Sequence, residues 1–171
     1  MSIEIELNTD AALNRMLNSL DNRNMYSAIS AAAQRAAVHA RKVGTKEIRK
    51  VYAVKAGTLK GKSNIKKAAD GAVLEVKGGS EPIKSYSVAA KRKGIFVSVK
   101  KGKKTLVPRS FTLNNRFVAR ESSSRLPFRD LYGPAVPQLF GNPAVLEKVQ
   151  EAGTEMFESR LMHEITRRLE Q

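Results

Sequence analysis

The sequence predicts an α+β fold, with a helical N-terminal half, a small, mostly antiparallel central sheet and a long C-terminal helix. Three observations predict it. Residues 28–40 are alanine-rich, and apolar residues recur there at helical spacing. Residues 72–120 break into short apolar and β-branched runs separated by glycine-containing turns. After Asn142, the residues Val145, Val149, Ala152, Met156, Phe157, Leu161, Ile165 and Leu169 form one stripe of helical period. A chain of 171 residues with 42% hydrophobic content suits a single domain with a real core. Its segments are a strand plus basic helical region (1–68), an antiparallel sheet (72–120), a proline- and glycine-rich connector (121–142) and the final helix (143–171).

Ser2 to Leu7 alternates apolar and polar, which reads as a half-buried strand. Asn8, Thr9 and Asp10 offer a helix cap, and Leu13, Met16, Leu17 and Leu20 follow at helical spacing. Asp21 to Asn24 interrupts this helix, which resumes from Met25 to Val43. Gly44 is expected to end or bend it, with Thr45 capping a further turn through Ile48 and Tyr52. Lys55 to Lys62 reads as a loop or short helical turn, and Ile65 to Ala68 as strand-like. Strands are expected at 72–76, 94–99, 105–107 and 116–120, with Lys100 to Lys103 as a basic hairpin tip. Lys77 to Lys93 carries no clear pattern and is read as a loop, as is the serine run Ser122 to Ser124. Pro127, Pro134, Pro137 and Pro143 punctuate an ordered connector. Asn142-Pro143 then supplies an N-cap and a proline at the first helical position.

The formal net charge is +15, which points to an acidic or polyanionic partner. The charge is uneven. Residues 84–104 carry Lys84, Lys91, Arg92, Lys93, Lys100, Lys101, Lys103 and Lys104 and no acid, whereas the final helix is richer in glutamate than in lysine and arginine. Lys91 to Lys93 and Lys100 to Lys104 are therefore candidate contacts for DNA or for a partner protein. Cysteine is absent, which excludes disulfides and thiolate metal sites and fits synthesis in a reducing cytoplasm. Neither a signal-peptide pattern at Met1 to Glu4 nor a membrane-length apolar run is expected.

The chemistry-bearing patterns are weak. Ala56 to Ser63 resembles a phosphate-binding loop, but Ala56 stands where its first glycine belongs and the following residues read as strand. His39 and His163 read as helix-face residues without further ligands at helical spacing. Ser122 to Ser124 lacks the glycines of a nucleophile elbow. No catalytic residue, metal site or cofactor is assigned, and the chain is read as something other than an enzyme.

The connector is the most distinctive stretch. Arg125-Leu126-Pro127-Phe128-Arg129-Asp130-Leu131-Tyr132-Gly133-Pro134-Ala135-Val136-Pro137 resembles the motif of the phage minor tail protein Z family, where it follows a strand and precedes a long C-terminal helix. The alanine-rich basic helix and the run Val51-Tyr52-Ala53-Val54-Lys55 are similar to the same family. The resemblance implies a structural virion protein of a long-tailed phage or prophage. Such a protein is made in the host cytoplasm and completes the tail at its head-proximal end for head–tail joining. It implies a homo-oligomeric ring with other tail or neck proteins as partners, in possible contact with packaged DNA, and no membrane or small-molecule substrate. Leu126, Pro127, Leu131, Tyr132, Gly133, Pro134 and Pro137 are then the candidate structural connector. The alternative from composition is a sequence-nonspecific nucleic-acid-binding protein.

Overall fold

The computed structural model describes residues 2–3, 22–68 and 71–169. In chain order its elements are β1 (Ser2–Ile3), α1 (Asn22–Val51), α2 (Ala56–Gly61), β2 (Ser63–Ala68), β3 (Gly71–Lys77) and β4 (Ser80–Pro82). A 3-10 turn (Ile83–Ser85) leads to β5 (Ser87–Lys91), β6 (Gly94–Ser98), β7 (Thr105–Val107), β8 (Ser110–Leu113) and β9 (Arg116–Arg120). The chain closes with β10 (Phe128–Asp130), β11 (Tyr132–Ala135), α3 (Val136–Phe140) and α4 (Pro143–Leu169). The architecture is α+β. The strand beyond Ile3, the cap at Asn8 to Asp10 and the helix at Leu13 to Leu20 lie outside the described residues.

Helix α1 owes its face to small residues. Ala28, Ala32, Ala36, Ala40, Gly44 and Ile48 recur every fourth position and are buried, which makes a narrow ridge that a second helix can approach closely. Helix α4 fills it with Val145, Val149, Phe157, Leu161 and Ile165. The two run antiparallel: Glu47 meets Lys148, Gly44 meets Val149, Arg35 meets Glu164 and Ser27 meets Arg168. Burying each of the large α4 side chains contributes about 1.5–3 kcal/mol. At the start of α4, the Asn142 carboxamide oxygen accepts the Ala144 N–H at 3.2 Å.

Two expectations about α1 need correction. The helix does not end at Gly44 but runs through it to Val51. Glycine is required there by packing, since a Cβ would lie 2.6 Å from Phe140 Cε1 and 2.9 Å from Val149 Cγ2. Asn22 to Asn24 are helical, and whether Asp21 separates them from an earlier helix lies outside the described residues. Thr45 caps nothing; its hydroxyl donates to the Arg41 carbonyl one turn back at 2.9 Å, inside the helix.

The strands form four small sheets and not one meander, in the orders β1-β3-β2, β5-β6-β7, β10-β9-β8 and β11-β4. All these pairings are antiparallel. Residues 77–93, read as a loop, contain β4, the 3-10 turn and β5. Ile83 and Tyr86 anchor that stretch at 5% and 2% exposure, and two isolated anchors leave no period to read. Strand β8 was also not expected. It turns into β9 through Asn114 and Asn115, both at positive φ (46° and 61°), in a two-residue hairpin loop of the kind asparagine favours.

The segment after α1 ties helix to sheet. Ala53 N–H donates to the Val99 carbonyl at 2.8 Å and Ser87 N–H donates to the Ala53 carbonyl at 2.9 Å. Lys101 N–H donates to the Val51 carbonyl and Lys55 N–H to the Ser85 carbonyl. Residues 51–55 therefore sit across the end of the β5–β6 hairpin where Ser87 pairs with Ser98.

Candidate functional site

The connector is fastened to the sheets by its backbone. Leu131 N–H donates to the Phe117 carbonyl, Ile83 N–H donates to the Leu131 carbonyl, and β11 pairs with β4. The Tyr86 hydroxyl donates to the Pro134 carbonyl at 2.6 Å. Gly133 lies against the Tyr86 ring so closely that a Cβ would come within 2.5 Å of it, which is why glycine occupies this point. The Tyr86 phenol is pushed up to about 12, first by burial and then by the Glu81 charge and Tyr52. Pro137 is buried in the first turn of α3, where a missing N–H costs nothing, and Gln138 Oε1 accepts the Ala135 N–H at 3.1 Å. The Leu126–Pro127 peptide bond is cis. The ordered connector of the sequence is thus two short strands and a helical turn. It leaves Leu126 and Tyr132 exposed, at 63% and 59%.

The two basic clusters do not come together. Lys91, Arg92 and Lys93 form the tight turn between β5 and β6, whereas Lys100, Lys101, Lys103 and Lys104 follow the other end of β6. Five strand residues separate them, a span of roughly 17 Å at ~3.3 Å per residue. The second cluster lies beside the C-terminal end of α1, through the Tyr52–Lys100 bridge. All of these cations are exposed, and none has a carboxylate partner among the described residues. Lys91 Nζ sits 5.4 Å from the centre of the Phe96 ring, so that aromatic face is covered by the chain's own lysine.

The structure does join the Lys100 cluster to the connector. A cavity of about 390 Å³ is lined by Ile83, Val97, Val99, Val107, Leu131 and Tyr132, with Lys100, Lys103 and Thr105 also around it. A second cavity, of about 200 Å³, shares Ile83, Leu131 and Tyr132 and is bounded by Pro82, Lys84, Arg116, Phe117 and Asp130. Sharing these three residues, they adjoin as one groove along the connector. Arg116 is committed to Asp130 at 3.3 Å, while Lys84, Lys100 and Lys103 have no acid partner among the described residues. Ile83 and Lys84 were not singled out in the sequence, because they fall in the stretch without a period. The alternation of Val97 and Val99 was visible, but the side of the hairpin left uncovered was not.

The other candidate chemistry dissolves on inspection of its geometry. The phosphate-loop-like segment forms α2, and the Ser63 hydroxyl, fully buried, donates to the Leu59 carbonyl at 2.9 Å. That leaves it facing the protein and no loop of free N–H groups to cradle a phosphate. His39 and His163 lie on α1 and α4. Among the described residues no group of three or more His, Asp or Glu side chains is placed to hold a metal, and no helix is long and apolar enough to cross a membrane. The buried carboxylates are consumed internally. Arg168 hydrogen-bonds Glu164 and holds its carboxyl below the ordinary range against the cost of burial, with Arg167 and Arg35 adding to the effect. Lys77 and then Lys66 hold Glu75 low. Compared with known protein families, curated proteins and solved structures, the chain matches none of them.

Proposed function

We propose that the chain is a structural virion protein of a long-tailed phage or prophage, a minor tail component that completes the tail at its head-proximal end and readies it for joining the head. The observation that carries this reading is the connector Leu126 to Pro137. It resembles the minor tail protein Z motif, and it is a backbone-locked strap that still presents Tyr132 and Leu126 outward. Rigid presentation of exposed apolar side chains suits assembly by binding and geometry. In the particle the protein acts as a homo-oligomeric ring among other tail or neck proteins. Deleting the gene in the parent phage and examining the particles by electron microscopy with an infectivity count tests this. Loss of infectivity, with tails absent, unjoined or unable to deliver DNA, is expected; normal infectious particles overturn the reading.

A second reading, sequence-nonspecific nucleic-acid binding, draws on the unpaired lysines at both ends of β6. It predicts binding of duplex DNA whose log affinity falls with log salt by about 0.9 per neutralised phosphate. Weak binding with a shallow slope removes it.

A further inference from the structure

We propose that the groove around Ile83, Leu131 and Tyr132 is a docking site for an extended, acidic segment of a partner protein, whose apolar side chains fill the two cavities. The inference goes beyond the tail reading and does not depend on it. The larger cavity has an aliphatic floor that includes Ile83, Val97 and Leu131, which calls for apolar side chains and offers no stacked pair of aromatic faces for a nucleobase. Arg116 and Asp130 on the rim pair with each other, and the unpaired charge that remains is of one sign. Lys84 borders the smaller cavity and Lys100 and Lys103 the larger. No described carboxylate neutralises any of them. A segment carrying Asp or Glu beside its apolar residues complements that rim and is steered to it. The extended form follows from β7, among the described residues an edge strand of its sheet, whose Thr105 and Val107 line the groove; such an edge can accept a further strand. Tyr132, 59% exposed and common to both cavities, is the side chain such a segment would cover.

The test is to pan an mRNA-displayed random peptide library against the full chain and measure binding of the recovered peptides by fluorescence anisotropy. Recovered peptides are expected to alternate or flank apolar residues with Asp and Glu. Their affinity should fall by roughly tenfold or more with Tyr132→Ser and with the pair Lys100→Glu and Lys103→Glu. The pair Lys91→Glu and Lys93→Glu, the same charge change at the far end of β6, should leave affinity within about twofold. Thermal melts of all three variants check that the fold is intact, and the exposed position of each residue keeps them foldable. Four outcomes overturn the proposal: no recovered binder; peptides without acidic residues; equal losses at both ends of β6; or a duplex DNA oligonucleotide that competes through Tyr132, Lys100 and Lys103.

Discussion

The α1–α4 helix pair and the β5–β6–β7 hairpin region treat charge in opposite ways. In the helix pair, Glu164 is 1% exposed and is met by Arg35, Arg167 and Arg168, while Glu47 is met by Lys50 and Lys148. In the hairpin region eight cations between Lys84 and Lys104 have no acidic residue among them in the sequence, and the apolar floor beside them stays open. A buried carboxylate without a partner costs too much to persist, so pairing marks residues that hold the fold. Unpaired surface charge beside an uncovered apolar groove contributes little to folding and is free to recognise something else. The difference places the paired, stabilising charge in the helix pair and leaves the hairpin region as the place where recognition is proposed.

The largest expected effect breaks the first half of that comparison. Gly44→Val inserts atoms where even a Cβ would meet Phe140 and Val149 at 2.6 and 2.9 Å. It should destabilise the protein by about 3 kcal/mol, measured by urea denaturation; an unchanged midpoint would mean that the helices do not press together as described. Next comes Glu164→Ala. Two of its three arginine partners are half exposed, so the loss is discounted to about 2 kcal/mol. The folded carboxyl is held below its ordinary value, so its contribution is present above the unfolded value of ~4.3 and is lost as pH falls through the lower folded value. The acid limb of the stability profile should therefore be shallower in Glu164→Ala than in the parent; identical limbs would dismiss the arginine cluster as a stabilising device.

Tyr86→Phe sharpens the link between the two halves, since Tyr86 belongs to the core and holds the connector. Removing its bond to Pro134 should cost about 1 kcal/mol. With the folded phenol raised to about 12, its contribution is intact below the unfolded value near ~10 and is lost as pH rises from there through about 12. An alkaline stability scan should show this slope in the parent and not in the variant. The smallest effects lie in the hairpin region. Lys100→Ala, Lys103→Ala and Tyr132→Ser should each change stability by less than about 0.5 kcal/mol, measured by thermal melting. A larger loss would assign these residues to the fold and remove the division drawn above.

Parts of this division were legible in advance. The acid-free run from Lys84 to Lys104 and the stripe on the last helix stand in the sequence, because charge and period need no tertiary information. Gly44 was misread because a helix-ending glycine and a glycine demanded by close packing look alike until the neighbouring helix is known. The strand expected at 94–99 already separated the two lysine clusters. Clusters at its two ends are held apart, with only the later one near Leu131 and Tyr132.

By itself the sequence determined the helical regions, the strands at 72–76, 94–99, 105–107 and 116–120, the basic excess and the ordered connector. Each follows from propensity, period or a fixed proline dihedral acting over a few residues. The tertiary structure decided the rest. It determined that small residues on α1 receive α4, that Glu164 finds arginines as distant in sequence as Arg35, and that Ile83, Val97, Val107 and Leu131 meet around one groove. Those outcomes depend on contacts between residues tens of positions apart, and local preferences carry no information about which distant side chains will share a cavity.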